Sequence, residues 1–136
     1  MVKLIAGLKG SGKTKQLISD INESVKNETG SMICIEKGTK LRYDIDIRVR
    51  LVDYQEYSMG SLAFLKGFIS GMHAGNFDIS HVFIDSFYKL VDNAGVPEIE
   101  DFVLWCESFG KANDISFTIA VSEDPEKFTP ALKEFL

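Results

Sequence analysis

A glycine-rich run near the start of this chain constrains the fold more than any other feature. The run reads Gly7, Leu8, Lys9, Gly10, Ser11, Gly12, Lys13 and Thr14, and it matches the phosphate-binding pattern G-x-x-x-x-G-K-[ST]. Residues 2–6 before it are mostly apolar and predict a short buried strand, while residues 15–26 have the apolar spacing of a helix. A strand, a glycine loop and a helix in this order place backbone N–H groups around an anion, so the sequence predicts an α/β fold with a phosphate site.

Each residue type in the run suits one part of a nucleotide. Glycine at positions 7, 10 and 12 lets the backbone take positive φ and approach a phosphate without a Cβ clash. Lys13 is expected to reach the β- and γ-phosphates, and the Thr14 hydroxyl is expected to ligate Mg²⁺. We therefore predict that the whole run binds a nucleotide di- or triphosphate, with Lys13 also serving catalysis.

Composition limits the classes of function that remain. The 136 residues predict a single domain, residues 1–136, large enough for a buried core. The net charge of −5 and the lack of a basic stripe argue against a nucleic-acid partner.

No uncharged stretch reaches the ~18 residues that a membrane span needs, and residues 2–6 lead straight into the loop, unlike a signal peptide. Cys34 and Cys106 lack paired spacing, which predicts buried free thiols in a reducing compartment. We expect a cytoplasmic protein with no membrane partner.

Strand and helix patterns alternate along the whole chain. This alternation predicts a three-layer αβα sandwich with a mostly parallel central sheet of about five strands. Strands are predicted at residues 2–6, 31–36, 48–53, 82–84 and 115–121, and helices at residues 13–26, 58–74, 97–109 and from 129 onward. Residues 48–53 alternate polar and apolar side chains, which indicates a strand near the edge of the sheet.

Glycines in the helical segments give two further expectations. Gly110 is well placed to end the helix predicted at residues 97–109. Gly67, Gly71 and Gly75 recur every four residues, and we expect their face of the helix to pack closely on the sheet or on a neighbouring chain.

Two further strands are predicted to bring oxygen ligands to the edge where the glycine loop lies. The apolar residues 82–84 run directly into Asp85, whose carboxylate would then face the loop and hold Mg²⁺. The alternative is an ordinary strand-end or helix-capping aspartate. The last strand delivers Ser122 to the same edge, because the carboxyl ends of parallel strands meet there. Asp85 is therefore a predicted metal ligand together with Thr14, and Ser122 is a predicted nucleotide-binding residue.

These segments together resemble the P-loop NTPase superfamily. Residues 7–14 correspond to Walker A, residues 82–85 to Walker B, and the strand that ends at Ser122 to a sensor strand. The order resembles the RecA-like division, in which the sensor strand lies between the P-loop and Walker B strands. The resemblance implies the P-loop NTPase fold, with ATP and Mg²⁺ as ligands.

Two departures from that family bear on catalysis. Many RecA-like ATPases have glutamate directly after the Walker B aspartate, whereas this chain has Ser86. Glu36, at the end of the predicted second strand, is the candidate for positioning the attacking water; the alternative is an ordinary strand-end carboxylate, and Asp53 is a weaker candidate. No arginine is obviously placed as a finger, although Arg42, Arg48 and Arg50 are candidates in cis or toward a neighbouring subunit.

The base and a second family can also be compared. The guanine-reading pattern N-K-x-D is absent, so adenine is favoured by default. The chain also has weaker similarity to type II thymidine kinases, through residues 41–44 and through Phe128 with Pro130. It lacks the paired cysteines of their zinc ribbon and the glutamate after their Walker B aspartate.

Three functions follow from these comparisons. The leading expectation is an ATP-binding protein with Mg²⁺-dependent hydrolysis that is slow unless a protein partner or a second copy completes the site. The first alternative is a phosphotransferase that acts on a nucleoside or another small molecule. The second alternative is a non-catalytic module whose nucleotide stabilises an assembly.

Overall fold

A computed structural model describes residues 1–57 and 60–136. The strands are Val2–Gly7 (β1), Ser31–Glu36 (β2), Val49–Asp53 (β3), Ile79–Ile84 (β4) and Ser116–Ser122 (β5). The helices are Lys13–Asn27 (α1), Leu62–Gly75 (α2), Phe87–Leu90 (α3), Val96–Asn113 (α4) and Pro130–Lys133 (α5), with short 3₁₀ helices at Tyr54–Glu56 and Pro125–Lys127. None of the helices described is both long enough and apolar enough to span a membrane.

The five strands form one parallel sheet that separates two apolar cores. Alternate residues of each strand point to opposite faces, so Ile33 and Ile35 enter one core while Met32 and Cys34 enter the other. The larger core lies under α2, α3, α4 and α5, and the smaller one lies under α1 and the segment of residues 37–48. Both faces are therefore covered, and the predicted three-layer αβα sandwich is confirmed.

The strand order is β1-β5-β4-β2-β3. The last strand of the chain, β5, is thus inserted between β1 and β4. In this register Gly7 lies opposite Ser122, and Ile84 lies opposite Ile119. The edge position predicted for residues 48–53 is confirmed, because β3 pairs with β2 alone among the described strands. On the other edge, the N–H group of Leu4 in β1 donates to the carbonyl of Phe135 at 2.7 Å.

Two helices have ends that differ from the prediction. The prediction that Gly110 ends a helix is wrong, because α4 continues to Asn113 and ends at Asp114, which has a φ of 57°. Gly110 is buried inside the helix, where a Cβ atom would collide with the carbonyl of Ile115. The helix α2 begins after Ser61, whose side chain accepts from the N–H group of Phe64 at 3.0 Å. Residue 58, where that helix was predicted to begin, lies outside the described residues.

The glycine face of α2 is open. Gly67, Gly71 and Gly75 are exposed, and a Cβ atom at any of them would meet nothing within 4 Å. The expectation that this face packs on the sheet is therefore wrong, while packing on a neighbouring chain stays a prediction.

These contrasting environments lead to a prediction about stability. We expect Gly71→Ala to raise the free energy of unfolding by about 1 kcal/mol, since alanine is the better helix former and the space is empty. Gly110→Ala should lower it by about 1–3 kcal/mol, because the new methyl group would displace the chain at Ile115. Urea unfolding of the two variants and the wild type measures both changes, and the same sign for both would contradict the prediction.

A buried histidine lies near the amino end of β4. The Nδ1 atom of His81 is 2.9 Å from Oε2 of Glu28, and its Nε2 atom is 2.8 Å from Oγ1 of Thr118. The imidazole also stacks on the ring of Phe83, with 3.9 Å between centroids. Burial lowers the pKa of His81, and the hydrogen bond with Glu28 only partly opposes that change. The ring is therefore a neutral structural group at neutral pH.

This environment predicts a dependence of stability on pH. Because the pKa of His81 is lower in the folded chain than in the unfolded chain, the unfolded state binds more protons as the pH falls through that range. The contribution of His81 to stability is therefore present at neutral pH and is lost on acidification. Between about pH 7.5 and 5.5, we expect the free energy of unfolding to fall more in the wild type than in His81→Gln. Urea titrations at each pH test this, and equal falls in the two proteins would refute it.

Candidate functional site

A cleft of about 610 Å³ opens at the carboxyl edge of the sheet, beside the start of α1. It brings together predicted site residues from distant parts of the chain. From the glycine loop, residues 7–14, it is lined by Lys9, Gly10, Gly12, Lys13 and Thr14. Asp85, directly after β4, and Ser122, the last residue of β5, line it from the sheet. The sequence analysis missed three further lining residues, which are Lys15, Ser86 and Lys89.

The backbone of the glycine loop depends on two left-handed residues. Gly10 has a φ of 86° and Gly12 a φ of 87°, values that residues with a Cβ atom rarely adopt. Gly7 has a different role from the one predicted. It is the last residue of β1 and is not among the glycines with positive φ, but a Cβ atom there would collide with the Ser11 side chain.

The amino end of α1 has no side-chain cap. Gly12 occupies the N-cap position, and no acidic residue lies in the first turn. By contrast, Ser61 and Thr129 cap α2 and α5 with their hydroxyl groups. The first N–H groups of a helix have no partner within it, and they carry the positive end of the helix dipole. Because Gly12, Lys13 and Thr14 line the cleft, these donors are available to an anion bound there.

Lys13 is held at the loop by a neutral acceptor. Its Nζ atom donates to the carbonyl of Leu8 at 3.0 Å, and the N–H group of Ser11 donates to the same oxygen at 3.1 Å. Leu8 thus contributes its backbone, while its side chain is exposed. Gly7, Leu8 and Ser11 do not line the cleft themselves, although all three were predicted to bind nucleotide. Among the described residues Lys13 has no carboxylate partner, so its charge is free to meet an anionic ligand.

Asp85 is a half-buried carboxylate at the base of the cleft. Its backbone N–H group donates to the carbonyl of Ile35 at 3.0 Å, which ties the end of β4 to β2. Burial raises the pKa of Asp85, while Lys89, a hydrogen bond from Ser86, Lys40 and Lys13 oppose that increase.

The charge of the cleft is opposite to that of the protein. In the part of the chain that is described, four lysines and one aspartate line it, although the whole chain carries a net charge of −5. No group of three or more His, Cys, Asp or Glu side chains able to hold a metal occurs among the described residues. A cation bound by Thr14 and Asp85 would therefore complete its oxygen shell with ligand phosphates and water, which is the manner in which Mg²⁺ binds.

Glu36, at the end of β2, is a buried carboxylate near this edge of the sheet. Its side chain is 3% exposed; Oε1 accepts from the N–H group of Leu41 at 3.4 Å, and Oε2 is buried without a hydrogen-bond partner among the described residues. Burial raises the pKa of Glu36, the backbone N–H groups of Leu41 and Lys40 oppose that increase, and the charge of Asp85 adds to it. Glu36 does not line the cleft. Asp53, the weaker candidate, accepts from the N–H groups of Gly38 and Gln55 at 2.8 and 2.9 Å and thus shapes the turns after β2 and β3.

None of the three arginines lines the cleft in the described structure. Arg48 donates to the carbonyls of Val25, Glu28 and Gly30 at 2.8, 2.6 and 3.1 Å, and so holds the end of α1. Arg42 and Arg50 line a separate cavity of about 520 Å³ along β3. The positive charge at the cleft therefore comes from lysine.

No protein-family model matches this sequence, and no curated protein is significantly similar to it. Its function must therefore be inferred from the cleft and from the residues that line it.

The orphaned oxygen of Glu36 leads to a prediction. Glu36→Gln should raise the free energy of unfolding at neutral pH by about 1 kcal/mol, because it removes a desolvated charge beside Asp85 and keeps an acceptor for Leu41. Glu36→Ala should lower it, since the N–H group of Leu41 then loses its partner. Chemical denaturation at pH 7 measures both variants. A loss of stability in Glu36→Gln as large as that in Glu36→Ala would show that the charge itself supports the fold.

Proposed function

We propose that this chain binds a nucleoside triphosphate together with Mg²⁺ and hydrolyses it slowly, with ATP as the favoured nucleotide. One observation carries the proposal. The left-handed glycine loop, the uncapped end of α1, Lys13 and Asp85 lie around one positively charged cleft in an otherwise acidic protein. This combination of donors and charge fits a polyphosphate.

The residues of the cleft suit distinct parts of such a ligand. The first N–H groups of α1 would bind phosphate oxygens, and Lys13 would exchange the Leu8 carbonyl for a phosphate oxygen, which is a stronger acceptor. Thr14 and Asp85 would hold Mg²⁺, which neutralises charge on the phosphates when it is bound. Ser122 lies opposite Gly7 in the sheet and would contact the phosphate end of the ligand, as Thr14 and Asp85 would.

The strand order supports membership of the RecA-like P-loop NTPases. There the sensor strand lies between the P-loop strand and the Walker B strand, and here β5 lies between β1 and β4. We place the chain in this class by analogy of strand order and motif. A cytoplasmic location and the preference for adenine are part of the same proposal.

The composition of the cleft favours slow turnover. No arginine lines it among the described residues, and Glu36 is buried beside it instead of facing it. Catalysis of phosphoryl transfer depends on positioned charge and on an oriented nucleophile. We therefore propose that a protein partner, or a second copy of the chain, raises the rate by completing the site.

One observation favours the phosphotransferase alternative. A cavity of about 330 Å³ adjoins the cleft and shares Lys89 with it. Tyr54, Gln55 and Tyr57 line this cavity, which could thus hold an acceptor molecule beside the terminal phosphate. Incubation with labelled ATP and a panel of nucleosides decides between the two reactions. Label found only in inorganic phosphate would exclude transfer to that panel.

Calorimetric titration with Mg·ATP tests the proposed binding. We expect Lys13→Ala to weaken binding by roughly ten- to a hundredfold, because it removes a charge-assisted hydrogen bond to phosphate. Lys26→Ala, which removes the same charge at the far, exposed end of α1, is the matched control and should bind like the wild type. No heat with the wild type, or equal affinity in Lys13→Ala, would refute the proposal.

The same titration, repeated with and without Mg²⁺, tests whether Asp85 binds the metal. Adding Mg²⁺ should tighten ATP binding in the wild type and should do so much less in Asp85→Asn, since the amide is a poorer Mg²⁺ ligand than the carboxylate. An equal effect of Mg²⁺ on both proteins would remove Asp85 from the metal site.

A further inference from the structure

Hydrolysis of the proposed ligand is favoured by a second cation at the terminal phosphate, in addition to Lys13 of the glycine loop. Phosphoryl transfer places negative charge on the oxygens of the transferred group, and an arginine commonly stabilises it. In this chain Arg48 is engaged with three backbone carbonyls, and Arg42 and Arg50 lie along β3. Within residues 1–57 and 60–136, only lysine is positioned for that role at the cleft.

Lys89 is the one lysine of the cleft that does not belong to the glycine loop or to α1. It lies on α3, which directly follows Asp85, and it lines both the cleft and the adjoining cavity. It therefore stands on the side where β4 ends, whereas Lys9, Lys13 and Lys15 stand on the side where α1 begins.

The local backbone fixes where Lys89 emerges. Ser86 adopts a φ of 55°, a conformation that is unfavourable for a residue with a side chain, and it starts α3 immediately beyond Asp85. Phe87 and Leu90 are buried in the larger core, so α3 is anchored by its apolar side. The N–H group of Lys89 donates to the Ser86 carbonyl at 2.9 Å. The exposed Lys89 side chain thus leaves a helix that is rigidly attached to the end of β4.

The charge of Lys89 is uncommitted. Among the described residues it has no ion pair within 4 Å, unlike Lys3, Lys66 and Lys111. Lys89 and Asp85 line the same cleft, so this charge is available on the side of the proposed metal ligand.

We propose that Lys89 contacts the terminal phosphate of the bound triphosphate and supplies, within the chain, part of the positive charge that an arginine finger supplies elsewhere. The inference rests on the proposed function and adds a specificity to it. A lysine at the start of α1 would contact any nucleotide whose phosphates fill the glycine loop. Lys89 would contact only a nucleotide whose phosphate chain is long enough to reach the end of β4. It therefore distinguishes a triphosphate from a diphosphate.

The role of Lys89 in hydrolysis is electrostatic. The oxygen of the attacking water bonds to the γ-phosphorus while the bond from that phosphorus to the bridging oxygen breaks, and the electron pair leaves on ADP. The proton of the water passes to the released phosphate or to solvent. Lys89 remains protonated throughout and neutralises charge on the transferred group.

The test compares affinities for Mg·ADP and for the Mg²⁺ complex of a non-hydrolysable ATP analogue, adenylyl imidodiphosphate. We expect Lys89→Ala to weaken binding of the analogue by about ten- to a hundredfold and to change binding of ADP by less than about threefold. Lys89→Arg should restore the preference for the analogue, because it keeps the charge. Lys26→Ala serves as the distant control, and urea midpoints confirm that each variant is folded.

The outcomes separate this inference from the proposed function. If Lys89→Ala weakens both nucleotides equally, the residue contributes only general attraction and the inference fails. It also fails if neither affinity changes while the wild type binds both ligands. If the wild type binds neither nucleotide, the proposed function itself fails. A second measurement makes the same distinction. Aluminium fluoride should trap Mg·ADP on the wild type and on Lys89→Arg, but not on Lys89→Ala.

Discussion

The cleft depends on the parallel register of β1, β5 and β4. Backbone hydrogen bonds set Gly7 opposite Ser122 and Ile84 opposite Ile119, so the three strands end at the same edge of the sheet, although β5 runs on from Ile119 to Ser122 beyond its last pair with β4. The glycine loop, Ser122 and Asp85 therefore lie on one edge. Since both faces of the sheet are buried, a slip of one residue would exchange the contents of the two cores. The apolar packing that stabilises the sheet therefore also fixes the geometry of the site.

A buried carboxylate, Glu36, and a half-buried one, Asp85, oppose stability at that edge. Burial raises the pKa of both Asp85 and Glu36, and one oxygen of Glu36 has no partner among the described residues. Lysines around the cleft offset part of this cost for Asp85. Such unfavourable groups persist in proteins where function requires them. In the proposed function, a bound Mg²⁺ would offset the remaining cost at Asp85.

Much of the fold follows from local patterns in the sequence. The short apolar runs predicted the strands, and their alternation with helical segments predicted two covered faces. Predictions failed where the outcome depended on what lies against a helix in the folded chain. Gly110 looked like a helix end, but it is needed because Ile115 passes close to it. The glycines of α2 looked like a packing surface, but nothing in the described structure approaches them. Lys89 was missed because its place at the cleft depends on the unusual backbone of Ser86, which no pattern reveals.

The sequence by itself predicted the glycine loop before α1, its phosphate-binding role and the carboxylate expected to face it, because glycine, lysine and threonine in that spacing have a local chemical logic. The tertiary structure alone decided which charges share the cleft. It directed Arg48 to the end of α1 and Arg42 and Arg50 to the β3 edge, and it brought Lys89 to the side of Asp85. The physical reason is that strand order and the packing of each helix set which side chains lie close to the end of a given strand.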